Sequence, residues 1–573
     1  MGAGYFLPIL VPMVAVLMLQ QHATALPLFT KTGLVHLFAG LGWATAFPLL
    51  YTWTYNSVWY QSLICFDAVI GTAIWVFLTG LTGVLAKAPG RKVWAALLAV
   101  LDFLFLAVPF IQYAYYCIVW HCLSPASLMA LYLTNWRESI DFIESNVGTG
   151  PALLIIACFA VFLICAARVN AALLRRMRRQ GRDDAQLGTS LLLVILGAAA
   201  LLYYVPQTSF GGLVTDVRTY VAETQTYGDG HEDRYAALDI DGTQTLPTRA
   251  PGTVIVVIGE SASRNYMHAC TPDFPFEDTP WLDSQLQNPA FNVFTNAYSC
   301  WSQTVPVLQR ALTEQSQYND REFFNSTSIL DVAKKAGYTT YWFSNQGRYG
   351  QYDSAITLVA KTADHAEWTD DSYNFSDKYD ETLLNYLGTV DPAQNNFIVL
   401  HIMGSHIYYN NRYPTEFSKW HGESEVSSVE SYANSILYTD FILSQIFDYA
   451  QKNLHLQAML YFSDHGENLT ISHNPDVFSF DMVRIPMFIY LSDAYRAALP
   501  GRTRAIRYHR SRYFTNDMLY DTVSGLLNAP SSRYMEGQDI TSPTYAHSRA
   551  DLTTMLGQQL IVSDPDGGVE TGF

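Results

Sequence analysis

The sequence predicts a multi-span α-helical membrane region followed by an α/β domain with a mostly parallel central sheet. Three observations predict it. The first third is nearly uncharged and consists of long apolar runs, although the 573-residue chain is only 50% hydrophobic overall. The remainder alternates short β-branched and aromatic runs with helical stretches, the pattern of strands buried on both faces. Carboxylates, imidazoles and amides recur where those runs end, which is the rim where open α/β sheets bind ligands.

Six apolar segments are candidate spans: Tyr5–Gln20, Leu34–Thr54, Leu63–Ala86, Val93–Val119, Pro151–Ala167 and Ser190–Val205. Most approach the roughly 20 apolar residues that cross a bilayer. The first is short, with Pro8 and Pro12, and lacks the basic flank and cleavage site of a signal peptide. Lys87, Arg91 and Lys92 lie between spans three and four; Arg168, Arg175, Arg176, Arg178, Arg179 and Arg182 lie between spans five and six. By the positive-inside rule both loops face the cytoplasm, which puts loop 120–150 and everything after Val205 outside. Asp67 and Asp102 fall within spans but near predicted helix ends, where the simplest reading is a carboxylate solvated at the interface.

The organisation expected is a transmembrane region over 1–206, a polar linker over 207–250 with one helix from Leu213 to Thr226, and a catalytic-looking domain over 251–573. The net charge of −17, with the basic residues gathered in the cytoplasmic loops, leaves the exported part acidic and argues against a nucleic-acid partner. Of seven cysteines, only Cys270 and Cys300 lie in the soluble part, where an oxidising compartment would permit a disulfide.

Strand-like runs in the exported part are Val254–Ile258, Thr339–Phe343, Phe397–Ile402, Met459–Phe462 and Met487–Leu491. Ser328–Ala336, Tyr379–Leu387 and Ser428–Lys452 read as helices between them, and the tail after Asp551 reads as loosely ordered. The first four strands end in Gly259-Glu260-Ser261, Ser344-Asn345-Gln346, His401 to His406, and Asp464-His465-Gly466-Glu467. Glu260, Asp464 and His465 make a hard O/O/N set that suits Zn²⁺ with one position left open, or else Mn²⁺.

A fourth ligand would double as nucleophile. Thr304 lies where Pro306 opens a helical run, at a helix N-terminus that favours a phosphate. Metal coordination lowers a hydroxyl pKa and makes the alkoxide accessible. Taken alone, Thr304 also reads as a plain N-cap, and on local grounds Ser302 and Cys300 are rival nucleophiles.

Gly259 to Arg264, Asn296 to Leu312, His401 to His406 and Ser463 to Glu467 occur in one order. In that order the chain resembles the membrane phosphoethanolamine transferases of the alkaline phosphatase/sulfatase superfamily. Thr304-Val305 with Leu308-Gln309, and Gly337 to Trp342 with Asn345-Gln346, most resemble the branch that modifies the lipopolysaccharide core. The resemblance implies a sulfatase-like fold and Zn²⁺ held by Glu260, Thr304, Asp464 and His465, with Thr304 carrying a phosphoethanolamine intermediate. It implies catalytic roles for His406 and His473, and places Glu467 in a second metal or phosphate shell. Asn345 is assigned to the substrate. Thr134-Asn135-Trp136-Arg137-Glu138, on an amphipathic stretch Ser127–Glu144, resembles the family's Thr-Asn-x-x-Glu segment on the membrane surface facing the catalytic domain, which assigns Asn135 and Glu138 to the substrate, with Glu138 pairing with the donor's ammonium group.

The function implied is transfer of phosphoethanolamine from phosphatidylethanolamine to lipopolysaccharide core, lipid A or another envelope glycan, by a multi-pass protein of the bacterial inner membrane with a periplasmic catalytic domain. A phosphoglycerol transferase of the same fold is the nearest alternative. The sulfatase reading is disfavoured, because the required Cys/Ser-x-Pro-x-Arg is absent: Cys300 is followed by Trp301, Ser302, Gln303 and Thr304. A metal-free binding protein with a decayed enzyme domain is the reading from another class, and the complete ligand set stands against it.

Overall fold

A computed structural model describes residues 34–55, 61–120, 147–181, 183–240, 251–346, 355–369, 378–421, 428–473 and 477–568, with Met18, Leu123, Ile140 and Ile143. The first expected span apart from Met18, and the Asn135–Glu138 segment with its amphipathic helix apart from Ile140 and Ile143, lie outside these residues. The chain forms two compact units, residues 1–130 with 142–219, and 131–141 with 220–573.

The first unit is helical: α1 (Leu34–Tyr55), α2 (Gln61–Leu85), α3 (Arg91–Val119), α4 (Thr149–Arg179) and α5 (Asp184–Tyr204). Among the described residues, four helices are long and apolar enough to cross a membrane, within α2, α3, α4 and α5; the apolar stretch of α1 is shorter. Small residues let these helices pack closely, as is usual between membrane helices. A Cβ on Gly40 of α1 would lie 2.3 Å from the carbonyl oxygen of Gly71 on α2. The outward faces stay apolar and exposed, for example Leu154, Val161 and Ile164 on α4 and Ile195 and Leu196 on α5.

Asp67 and Asp102 are both buried, at 4% and 0% exposure, so the expectation of interfacial solvation does not hold. Asp102 accepts from His36 Nδ1 at 2.7 Å and from Asn170 Nδ2 at 2.8 Å, and His36 Nε2 meets Thr82 Oγ1 at 3.0 Å. The carboxylate is thus satisfied by neighbouring helices rather than by water, the usual solution inside a bilayer.

The second unit is built on a seven-stranded sheet. Its strands belong to the set β1 (Thr253–Gly259), β2 (Phe291–Phe294), β3 (Asn296–Tyr298), β4 (Thr339–Ser344), β5 (His365–Trp368), β6 (Asn396–His401), β7 (Leu456–Ser463), β8 (Met487–Leu491) and β9 (Tyr513–Thr515). The order is β2-β8-β7-β1-β6-β4-β5, while β3 pairs separately with β9. Strands β7, β1, β6, β4 and β5 are parallel, and β8 and β2 close one side antiparallel. The central strands β1, β6 and β7 are buried along their whole length, as their unbroken apolar runs require. The helices α8 (Thr304–Ala311), α9 (Ile329–Lys335) and α10 (Val429–Asn453) belong to the same unit. Ser328 and Asp331 form a capping box at the start of α9, and Ser428 caps α10.

The helix expected from Leu213 to Thr226 lies within α6 (Ser209–Asp229), and a second one follows, α7 (His231–Ala237), whose His231 is bonded to Asp331 at 2.7 Å. The tail after Asp551, expected to be loose, is packed on the domain: Asp564 is buried and ion-paired with Arg484. Cys270 and Cys300 are free thiols; burial pushes Cys270 up to about 12 and Cys300 well above the ordinary thiol range.

Candidate metal centre and nucleophile

The site is assembled by strand register. Gly259 at the end of β1 pairs with Ser463 at the end of β7, so Glu260 and Asp464 leave the sheet side by side. Asp464 N bonds Gly259 O at 3.0 Å, and on the other flank Ile402 N bonds Ile258 O at 3.1 Å. Ser261 then turns through a left-handed φ of 55°, a conformation costly for a residue with a Cβ. Its hydroxyl bonds Glu260 Oε1 at 2.7 Å and its N–H points to Asp464 Oδ1 at 3.2 Å. The chain is strained where it aims the two carboxylates. Gly404 completes the wall, at φ 52° and so close that a Cβ would lie 2.9 Å from Glu260 O.

The possible ligand atoms of Glu260, Asp464 and His465 lie within 4.8 Å of one another, and all three residues are buried. His465 Nε2 is 3.3 Å from Glu260 Oε1 and 3.5 Å from Asp464 Oδ2. Thr304, the first residue of α8, brings Oγ1 to 3.1 Å from Glu260 Oε2 and 3.4 Å from His465 Nε2. His465 Nδ1 is 2.8 Å from the Gly466 carbonyl, a contact that needs the proton on Nδ1 and leaves Nε2 as the ligating lone pair.

The electrostatics fit a cation. Burial alone would push Glu260 up, but the hydrogen bond and charge of His465 hold it well below the usual carboxylate range. Burial and the charge of Glu260 push Asp464 up, while the two carboxylates outweigh burial and raise His465. Asp464 Oδ2 is buried without a hydrogen-bond partner among the described residues, which a metal ion would remedy. The donor set suits zinc, and the arrangement passes as a metal site on its own chemistry.

His406 and His473 gather at the same place: the His473 ring lies 4.6 Å from that of His465 and 6.4 Å from that of His406. Glu467 is fully buried; its Oε2 is 2.7 Å from His473 Nδ1, and its Oε1 accepts from Tyr409 at 2.9 Å. His465, Glu467 and His473 form a second cluster able to hold an ion.

Asn345 is not brought to the metal cluster. Its amide donates to Lys378 O and Asp380 Oδ1 and accepts from Thr369, so it braces loops instead. The next residue, Gln346, donates to Glu260 Oε2 at 2.9 Å and to Ile402 O at 3.0 Å. Alternation along β4 is the signal that could have separated the two. Asn516 was also missed: it ties Asp464 O, at 2.7 Å, to Cys300 N, at 3.0 Å, and so links the aspartate corner to the nucleophile loop. Nothing in its local sequence marks it. Asn135 and Glu138 lie outside the described residues. Of the three candidate nucleophiles, Thr304 is the one bonded to the ligand cluster; the Cys300 thiol is buried and far from ionising.

The sulfatase family model matches residues 252–529. Phosphoethanolamine transferase EptC of Escherichia coli is 24% identical over 92% of this chain and 95% of its own length. Phosphoethanolamine transferase CptA of Salmonella typhimurium is 26% identical over 88% and 92%. The C-terminal periplasmic domain of Escherichia coli EptC, solved in complex with Zn, is 26% identical with a TM-score of 0.51, covering 56% of this chain and 96% of that one. Over most of its length the chain is similar to membrane phosphoethanolamine transferases, with a sulfatase-like domain in its C-terminal part. The whole-chain likeness in fold extends to the integral membrane transferase EptA of Neisseria meningitidis, at 17% identity, a TM-score of 0.55, and 89% and 97% coverage. The protein is therefore an enzyme of the transferase type, with four helices among its described residues able to cross a membrane and side chains placed to hold a metal ion.

Proposed function

We propose that this transferase moves phosphoethanolamine from phosphatidylethanolamine to lipopolysaccharide, on its core or on lipid A, through a covalent adduct on Thr304. The carrying observation is the position of Thr304 Oγ1, 3.1 Å from Glu260 and 3.4 Å from His465, inside the ligand set. Glu260, Thr304, Asp464 and His465 would hold Zn²⁺ or, second in fit, Mn²⁺; the EptC domain solved with Zn supports the first. A bound ion would make the threonine alkoxide accessible and neutralise charge on the phosphoryl oxygens.

In the first half-reaction Thr304 gives its proton to solvent and Oγ1 attacks the donor phosphorus. The bond from phosphorus to the diacylglycerol oxygen breaks, and that oxygen takes a proton from His406 or His473. In the second, an acceptor hydroxyl gives its proton back to that histidine (an ionised acceptor phosphate oxygen leaves it to be reprotonated by solvent), the acceptor oxygen attacks the same phosphorus, the bond from phosphorus to Thr304 Oγ1 breaks, and Oγ1 takes a proton from solvent. Glu467 orients His473 through Nδ1, and with His465 offers a second shell for metal or phosphate. Asn135 and Glu138 would receive the donor's ammonium group. A lipid donor accounts for the membrane helices, and the periplasmic domain named for EptC supports an inner-membrane protein with its catalytic domain in the periplasm.

Lipopolysaccharide mass spectrometry on cells expressing the intact protein or Thr304→Ala tests the reading. The phosphoethanolamine increment should appear only with the intact protein. Equal modification by the variant would remove Thr304 from the mechanism.

A further inference from the structure

We propose that the basic end of α4 is a binding site for the phosphate headgroup of an anionic phospholipid, separate from the metal centre. Arg168, Arg175 and Arg179 stand seven and eleven positions apart, so at about 100° per residue they share one helix face within about 20°. The opposite face is packed: Ala166, Asn170, Leu173, Leu174 and Met177 are buried. Arg168, Arg175, Arg176 and Arg179 are exposed and enclose a groove of about 570 Å³ floored by Ala171 and Ala172. No carboxylate pairs with these four among the described residues. Arg178 behaves differently: its guanidinium bonds Ala86 O at 2.8 Å, and also Ala88 O, closing the turn after α2.

The apolar side of the same line favours a lipid over a soluble anion. Leu154, Val161 and Ile164 are exposed at 65%, 58% and 54%, and lie within about 40° of the Arg168 direction on the helix. Acyl chains lying along that stripe would lead the phosphate into the arginines. Guanidinium groups match a phosphate bidentately and keep their charge in a poorly hydrated setting. Basic residues placed this way at a membrane helix end are the setting in which acidic lipids are recognised. The zwitterionic donor proposed above carries a compensating ammonium that this all-basic groove would repel.

Native mass spectrometry of the detergent-solubilised full chain, titrated with phosphatidylglycerol, phosphatidylcholine of the same chains, and inorganic phosphate, tests the site. Phosphatidylglycerol should be retained in preference to phosphatidylcholine, and inorganic phosphate should not displace it. Arg168→Gln/Arg175→Gln/Arg179→Gln should bind phosphatidylglycerol about 100-fold more weakly. Each single substitution, with an unchanged melting temperature in phosphatidylcholine nanodiscs, should weaken it about 5-fold. Unchanged affinity in the folded single variants, equal binding of phosphatidylcholine, or displacement by inorganic phosphate would each overturn the proposal.

Discussion

Gly259 and Ser463 face each other in parallel register on β1 and β7, and the metal corner follows from that one pairing. The next residue on each strand is a carboxylate, and both leave the sheet at the rim where α8 presents Thr304. Burial then makes the group unstable as bare charges, with Glu260 ionised, His465 retaining its proton and Asp464 pushed up.

Gln346 holds Glu260 Oε2 at 2.9 Å and so orients a proposed ligand without touching the metal. Outer-shell partners of this kind are worth about 10–100-fold in metal affinity or activity. Gln346→Ala should weaken zinc binding by that factor, measured by competition with a chelator, and lower transfer in parallel at limiting zinc. Saturating zinc should restore most of the lost activity; no change in zinc affinity would leave Gln346 without this role.

His401 ends β6 fully buried, and burial pulls its pKa down to about 4. In an unfolded chain it titrates near 6.5. Between those values the unfolded chain takes up a proton that the fold refuses, so stability is present above about pH 6.5 and is lost as pH falls toward 4. One such residue contributes at most of order 3 kcal/mol over that window. His401→Gln in the metal-free protein should show a shallower loss of stability across it, by about one proton, in unfolding curves taken from pH 7 to 4.

Asp564 accepts from Tyr298 at 2.8 Å and from Arg484 Nε at 2.8 Å, and the Arg484 side chain is only 4% exposed. Without Asp564, Arg484 keeps only the more exposed Asp481, at 3.1 Å, and Asp566, at 3.2 Å, so the loss is a sizeable part of the about 3–5 kcal/mol that a fully stranded buried charge costs. Asp564→Ala should lower the melting temperature sharply, and so should truncation after Asp551. A tail that is dispensable for stability would contradict this account.

Much of this was legible in the sequence because buried parallel strands write unbroken apolar runs, and each of the five expected strands coincides with an observed one. The edge strands β2 and β5 escaped notice: β5 reads His-Ala-Glu-Trp and is half exposed, so it carries no such run. The second linker helix and the packing of the tail are hidden from the sequence for a related reason. Their polar residues look solvated until long-range partners are known, as with His231 and Asp331 or Asp564 and Arg484. The same blindness to distant partners hid the bond from Gln346 to Glu260 and left Asp102 looking interfacial. Glu260, Thr304, Asp464 and His465 were named from strand ends, a helix start and motif order, and the fold brings all four together.

The central claim is that Thr304 carries phosphoethanolamine. Peptide mapping by mass spectrometry, after the purified full chain has been exposed to zinc and phosphatidylethanolamine without acceptor, tests it most directly. The account predicts a phosphoethanolamine increment on Thr304 that disappears when lipopolysaccharide is added. An adduct on Ser302, a phosphoglycerol increment from mixed lipid, or no adduct in a preparation that still transfers would contradict it.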